Sequence, residues 1–377
     1  MEHTGTALVL GATGGIGGEV ARQLRDAGWA VRALRRSQAQ PRQDEGGITW
    51  LRGDAMNGAD VAAAASGCGV IVHAVNPPGY RHWDRLVLPM MDNTLAAAVA
   101  QRATVVLPGT VYNYGPDAGP VVREDAPEHP LTRKGALRVE MERRMREASE
   151  RGARGIVVRA GDFFGPQARG NWFAQGLVTP GRPVRTVRLP GARGVGHQWS
   201  YVPDVARAML RLLERRQTLA PFARFHMAGH WDADGLQMAQ AVCRVVARRT
   251  GKMPALRDFP WWLVRAAAPF NVTLRELLEM RYLWREPLRL DGPRLPATLG
   301  EEPHTPLEQA VEATLEGLGC LPGPRGGAQK KSPARTRGFP LKMAPLALEA
   351  FPNDILGRRG GRYPDSPDLP PTSPAIS

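Results

Sequence analysis

Cysteine is scarce in this sequence. Cys68, Cys243 and Cys320 stand far apart among 377 residues with no C-x-x-C pair, which excludes a disulfide framework and a cysteine zinc site and suits a reducing cytoplasm. Long apolar runs are missing as well: nothing approaches the roughly 18 to 20 residues that span a bilayer, and Ala7 to Leu10 is too short for a signal-peptide core. That segment reads as a buried strand. No internal repeat and no metal-ligand spacing is present.

The formal charge of +14 raises the question of a polyanionic partner, since a basic field attracts one over about a Debye length of ~10 Å. Its distribution argues against nucleic acid. From Leu321 to Ser377 nine Lys or Arg face four Asp or Glu, and the remaining excess is scattered Arg. Neither a recognition helix nor a zinc finger accompanies it.

What is there is an ordinary core composition, 43% apolar, with a strand-turn-helix-strand beginning. Ala7 to Leu10 is apolar, Gly11 to Gly18 is glycine-rich, Glu19 to Asp26 has helical spacing, and Trp29 to Leu34 is mostly apolar. Further strand candidates are Gly69 to His73, Thr104 to Leu107 and Gly155 to Arg159, each separated by room for a crossover helix. Lys134 to Glu150 is one such helix, with Leu137, Met141, Met145 and Ala148 on one face. The expectation is an α/β, doubly wound Rossmann fold with a parallel sheet over residues 1–165. A smaller C-terminal substrate lobe with a helical end follows over 166–320. Residues 321–377, rich in Pro, Gly and basic residues, read as a disordered tail. A helix is expected from about Val202, and the aromatic run Phe259, Pro260, Trp261, Trp262 is expected to pack a core.

Gly11, Thr13, Gly14, Gly15, Ile16 and Gly17 belong to a G-x-x-G-x-x-G turn directly between the first strand and first helix. Such a turn lets backbone N–H groups and the helix dipole hold a pyrophosphate. The second strand ends where NAD-preferring proteins place an acid for the ribose 2′-hydroxyl. Here stand Arg35 and Arg36, with no Asp or Glu between Trp29 and Arg42. Arginine there suits a 2′-phosphate, so NADP is expected over NAD.

With these residues in hand, the chain resembles the extended and atypical short-chain dehydrogenase/reductases, specifically the NAD-dependent epimerase/dehydratase family, over roughly Thr6 to Leu318. The resemblance implies an aspartate, Asp54 of Leu51-Arg52-Gly53-Asp54, at the adenine amino group. It places Ala74, in His73-Ala74-Val75-Asn76, against the adenosine ribose. Leu107 to Tyr112 is similar to the strand end that carries a catalytic Ser or Thr. Thr110 is the nearest hydroxyl, although strict register puts Pro108 at that position. Arg159 to Pro166 resembles the Arg-Pro-x-x-x-x-Gly-Pro segment beside the nicotinamide. Trp199 to Ala206 resembles a later segment near the substrate, in which Asp204 is expected to cap the following helix.

The departure lies in the chemistry. The family's Tyr-x-x-x-Lys motif should fall near the helix containing Leu137, and Thr132 to Arg138 does not contain it. Lys134 and Arg138 have the spacing of four, but arginine is no acid near neutral pH. Tyr112 or Tyr114 on the loop after the strand is the substitute phenol, with Lys134 supplying charge. Three readings stay open. One is an NAD(P)-dependent oxidoreductase or epimerase/dehydratase-like enzyme acting on a small carbonyl or hydroxyl compound between the two lobes, with a homodimer as the default assembly. A second is a non-catalytic NADP(H)-sensing regulator, and a third is an interaction protein working mainly through the basic tail.

Overall fold

The computed structural model describes residues 4–37, 40–77 and 82–322; the tail expected over 321–377 lies almost wholly outside them. From the N-terminus the elements are β1 (Thr6–Leu10), α1 (Gly15–Asp26), β2 (Ala30–Arg35), β3 (Arg42–Glu45), β4 (Ile48–Arg52), α2 (Gly58–Ala65) and β5 (Val70–His73). Then come α3 (Trp83–Gln101), β6 (Thr104–Thr110), β7 (Val121–Val122), α4 (Arg133–Glu150), β8 (Arg154–Ala160), β9 (Asp162–Phe164) and β10 (Thr186–Leu189). The second half adds β11 (His197–Tyr201), α5 (Val202–Glu214), β12 (Phe222–His226), β13 (His230–Asp232), α6 (Gln237–Thr250) and β14 (Ala255–Asp258). It closes with α7 (Trp261–Ala267), α8 (Val272–Glu279), β15 (Arg289–Leu290), α9 (Arg294–Leu299) and α10 (Leu307–Gly317).

Eight strands form one sheet in the order β12-β8-β6-β5-β1-β2-β4-β3. Every pairing is parallel except β3 with β4. Alternation within β1 shows why the sheet is buried on both faces. Ala7 and Val9 join the core shared with α1 and α5, while Leu8 and Leu10 join the one shared with α2, α3 and α4. Buried parallel strands of this kind read as unbroken apolar runs, which is how β1, β5, β6 and β8 announce themselves in the sequence.

The chain builds outward from β1 through β2 to β4, then returns to the other side of β1 as β5. The carboxyl ends of β1 and β5 therefore flank the topological switch point, where open α/β sheets bind ligands. Past Gly165 the chain serves two layers. It forms small sheets, β9-β11-β13 and β10-β14, and then re-enters the large sheet as β12, paired with β8.

Two expectations need correcting. Asp204 does not cap α5; its carboxylate accepts from the Thr305 backbone N–H at 2.6 Å and hydroxyl at 2.8 Å, tying α5 to the segment before α10. Trp261 packs on Trp172 and Phe259, but Trp262 points outward and is 65% exposed. A tryptophan pair one residue apart on a helix cannot share one buried face, because successive residues turn by about 100°.

Candidate active site and cofactor cradle

The glycine turn occupies the switch point. Gly11 sits at φ +87°, and a Cβ there would lie 2.4 Å from the Ala74 carbonyl oxygen, so the end of β1 and the residue after β5 are in backbone contact. Ala74 in turn donates its N–H to Leu10 at 2.9 Å. Gly17 holds α1 against the turn, since a Cβ would meet the Gly11 oxygen at 2.4 Å. Gly14 differs: its Cβ would meet only the Gly11 oxygen, at 3.3 Å, and Thr13 and Gly14 face solvent. Two glycines thus close the turn, and the third keeps a surface open.

No side chain caps α1 and its first turn carries no acid. Its leading N–H groups point to the side left open at Gly14, the arrangement that receives a phosphate. Gly15 and Ile16 begin the helix, and a Cβ on Gly15 would touch Ala168 at 3.0 Å, so the segment after Gly165 borders the same turn. The cradle fits a dinucleotide pyrophosphate.

At the end of β2, the Arg35 guanidinium lies 4.4 Å over the Trp50 ring and 3.3 Å from the Glu45 carboxylate. Arg36 follows, exposed. The acid absent from the β2 end is therefore supplied sideways by β3, through a hairpin that sequence reasoning did not find. Asp54 accepts from the Met56 N–H at 3.0 Å, and its own N–H donates to Asp60. Asn57, not Asp54, caps α2, accepting from Ala59 and Asp60.

The ends of β6 and β8 form the other wall. Thr110 closes β6, and its hydroxyl is buried without a hydrogen-bond partner among the described residues. Its carbonyl accepts from Arg159 at 2.6 Å. Arg159 is fully buried and pairs with Glu128 at 2.6 Å and Glu142 at 2.9 Å, while Arg224 bridges the same two carboxylates at 2.9 and 3.1 Å. This four-residue lattice fixes the β6 end. Tyr112, half-buried, follows in a short helical turn, with its backbone carbonyl crowding Gly135, where a Cβ would lie at 2.1 Å. Tyr114 is fully buried, its hydroxyl 3.1 Å from His226 Nε2, and burial raises its pKa. That takes it out of reach of any substrate.

Lys134, the second residue of α4, reaches α8. Its ammonium lies 2.6 Å from Glu276, 3.0 Å from Glu279 and 3.0 Å from the Glu276 carbonyl, in contact with α8. Arg138, one turn on, is buried, donates to Asn76 at 3.0 Å and lies over Trp83. None of the six tyrosines has a lysine four residues on.

One pair was not anticipated. Asp162, just past β8, meets His197 Nε2 at 2.8 Å; His197 Nδ1 faces the Leu283 carbonyl at 3.2 Å, and the ring stacks on Trp284 at 3.7 Å. Both ring nitrogens thus lie beside oxygen atoms, which fixes the orientation of the imidazole. The two residues lie 35 apart in sequence, and only the β9–β11 pairing joins them.

The chain matches the family described as NAD dependent epimerase/dehydratase over residues 7–227, more than half its length. It belongs to that family. Solved structures of the fold agree. MoeE5 with UDP-glucose and NAD superposes at a TM-score of 0.65 and 20% identity, covering 83% of this chain and 98% of that one. UDP-glucuronic acid 4-epimerase from Bacillus cereus, with UDP-glucuronic acid and NAD, gives 0.62 and 16%, with coverage of 83% and 98%. The Bordetella bronchiseptica enzyme WbmH with NAD+ gives 0.58 and 18%, with coverage of 83% and 97%. No curated protein sequence matches. As an NAD dependent epimerase/dehydratase family member, the chain carries a mostly parallel, Rossmann-like sheet, and the family's cofactor is a nicotinamide dinucleotide. No helix among the described residues is long and apolar enough to cross a membrane.

Proposed function

We propose that this family member is an oxidoreductase of the epimerase/dehydratase type that uses NADP(H) and acts on a small carbonyl or hydroxyl compound bound between the sheet and the following lobe. The observation that carries the reading is the cradle at the switch point: an uncapped α1 N-terminus whose Gly14 is left open while Gly11 and Gly17 are packed shut. A nicotinamide, when bound, supplies or accepts hydride, and the protein must then exchange a proton with the substrate oxygen.

The unpaired Thr110 hydroxyl and the half-buried Tyr112 are the groups proposed to meet that oxygen, because an orphaned buried hydroxyl at a strand end calls for a ligand partner. Lys134 is assigned a positioning role, since three acceptors already surround its ammonium. Asp54 and Ala74 are proposed to border the adenosine half. Arg35 and Arg36 are proposed to grip a 2′-phosphate, with Arg35 exchanging Glu45 for the stronger anion.

A second reading, a dinucleotide-binding sensor without turnover, is favoured by one observation: the α4 positions with the family's dyad spacing hold Lys134 and Arg138, both engaged elsewhere. Titration with NADPH and NADH separates the claims. NADPH should bind at least about tenfold more tightly, and Arg35→Ala with Arg36→Ala should erase the difference. Equal affinity for both overturns the NADP assignment. Timed oxidation of bound NADPH against aldehydes, ketones and nucleotide sugars follows, and failure across that panel selects the sensor.

A further inference from the structure

The hydroxyls proposed to meet the substrate oxygen do not by themselves supply a proton acceptor. Thr110 carries an alcohol, and an ordinary phenol titrates only near about 10. Oxidation of a hydroxyl compound must send its proton elsewhere, and several acids on this side of the molecule are already committed. Glu128 and Glu142 each face both Arg159 and Arg224, Glu276 and Glu279 face Lys134, and Asp204 is held by Thr305.

Asp162 stands apart from these. It lies two residues beyond Ala160, the residue of β8 that pairs with Thr110 of β6. Strand spacing and chain length keep its backbone within roughly 12 Å of Thr110, on the carboxyl side of the sheet, where folds of this kind bind ligands. One carboxylate oxygen, Oδ2, lies 2.8 Å from His197 Nε2. The other has no hydrogen-bond partner among the described residues, and the side chain is 10% exposed. Burial, then the charges of Asp162 and Glu279, raise the pKa of Tyr282, whose hydroxyl donates to the Tyr114 carbonyl at 3.2 Å. Asp162 is therefore within electrostatic reach of the turn that packs on Tyr112 and Tyr114. His197 is itself immobilised, with Nδ1 at the Leu283 carbonyl and its ring stacked on Trp284. A ring held in this way fixes one oxygen of Asp162 and leaves the second turned away from it, because the two oxygens of a carboxylate diverge.

We infer that Asp162 is a further catalytic residue of this site, taking the proton of a substrate hydroxyl on its second carboxylate oxygen, with His197 as its positioning residue. The inference rests on the oxidoreductase reading above. In the oxidation direction the substrate's C–H and O–H bonds break and a C=O double bond forms. The hydride goes to the nicotinamide of NADP+ and the proton to Asp162, which becomes a carboxylic acid. Reduction of the carbonyl reverses each transfer. With Asp162 ionised, His197 donates from Nε2 and the carboxylate only accepts, which is what a base requires. Thr110 and Tyr112 then bind the substrate oxygen without having to ionise. A carboxylate base needs no lysine beside a phenol, in keeping with a chain in which no tyrosine has a lysine four residues on.

Steady-state kinetics of the full chain test this, with whichever aldehyde, ketone or nucleotide sugar of the panel turns over and with its corresponding alcohol. Asp162→Asn keeps the shape and removes the charge. It should lower kcat about a hundredfold or more, while KM and the NADPH dissociation constant from a fluorescence titration stay within about twofold. Added formate should restore part of the turnover of Asp162→Ala, a response that a structural role does not produce. In the wild type, kcat for alcohol oxidation should fall on the acid side as one proton is taken up, and Asp162→Asn should lack that limb. His197 on β11 and Tyr282 on the turn after α8 are the titratable groups that face Asp162. His197→Gln, which keeps a donor, should move the limb without abolishing it. Asp26→Asn, which removes an exposed acid at the end of α1, should change nothing. Undiminished kcat in Asp162→Asn overturns the inference and leaves the oxidoreductase reading standing. So does a loss that travels with NADPH affinity or with the urea midpoint, since the pair then only ties β9 to β11. A wild-type chain that binds NADPH and turns over no member of the panel overturns both.

Discussion

The three glycines of the turn do different work, and substitution should separate them. Gly11→Ala drives a Cβ into the Ala74 carbonyl at a φ that disfavours side chains, so both the fold and the cradle suffer, with a cost of about 2–3 kcal/mol expected in chemical denaturation. Gly14→Ala meets only one atom, at 3.3 Å, on the side a phosphate would approach. Its stability should stay within about 0.5 kcal/mol of wild type, while dinucleotide affinity in a fluorescence titration falls about tenfold or more. A Gly14→Ala protein that binds NADPH normally removes the pyrophosphate from this turn. The three thiols need no such dissection. All are buried, and burial raises the pKa of each, which keeps them from reacting as thiolates.

At the scale of elements, the contact between α4 and α8 is the joint to break. Lys134 is 2% exposed and its two carboxylate partners about a quarter exposed. Lys134→Met therefore strands two acids that keep partial contact with water instead of one deeply buried charge, and about 1–3 kcal/mol of stability should be lost. If Lys134 only positions α8, the variant retains cofactor affinity, and any turnover changes through KM more than kcat. A kcat loss of a thousandfold at unchanged KM would return Lys134 to direct chemistry. The same elements show what sequence could reveal. β1, β5, β6 and β8 were legible because parallel strands buried on two faces leave continuous apolar runs, and the glycine turn because its spacing has a steric reason. The β3–β4 hairpin was not, since β3 is four exposed polar residues, Arg42 to Glu45, without alternation. Asp162 with His197 was invisible for another reason: nothing local distinguishes a histidine that finds its carboxylate through a strand pairing.

For the whole molecule, acid is the stress the interior resists least. His73 donates within the core to Thr94, and burial, reinforced by Arg138, pushes its pKa down to about 3. His226 is likewise pushed to about 3 by burial and by Arg159. Unfolded, each titrates near 6.5. Between those values the unfolded chain binds more protons, so stability present above about pH 6.5 drains away as pH falls toward about 3. The raised carboxyls of Asp232 and Glu302 act in the opposite sense. Comparing urea midpoints of wild type and His226→Gln across pH 3 to 8 cancels them. The variant should show a shallower fall on the acid side, and identical slopes would mean that His226 is charged inside the fold.

The return of the chain to the large sheet also has a consequence in time. β8 is an inner strand only because β12, more than sixty residues later, covers its edge, and α1 gains its cover only when α5 has formed. A nascent chain that has just passed Gly165 therefore carries the whole glycine turn yet exposes an open strand edge and a bare apolar helix face. During synthesis the nucleotide-binding half is the first part to be made and among the last to be safe from aggregation.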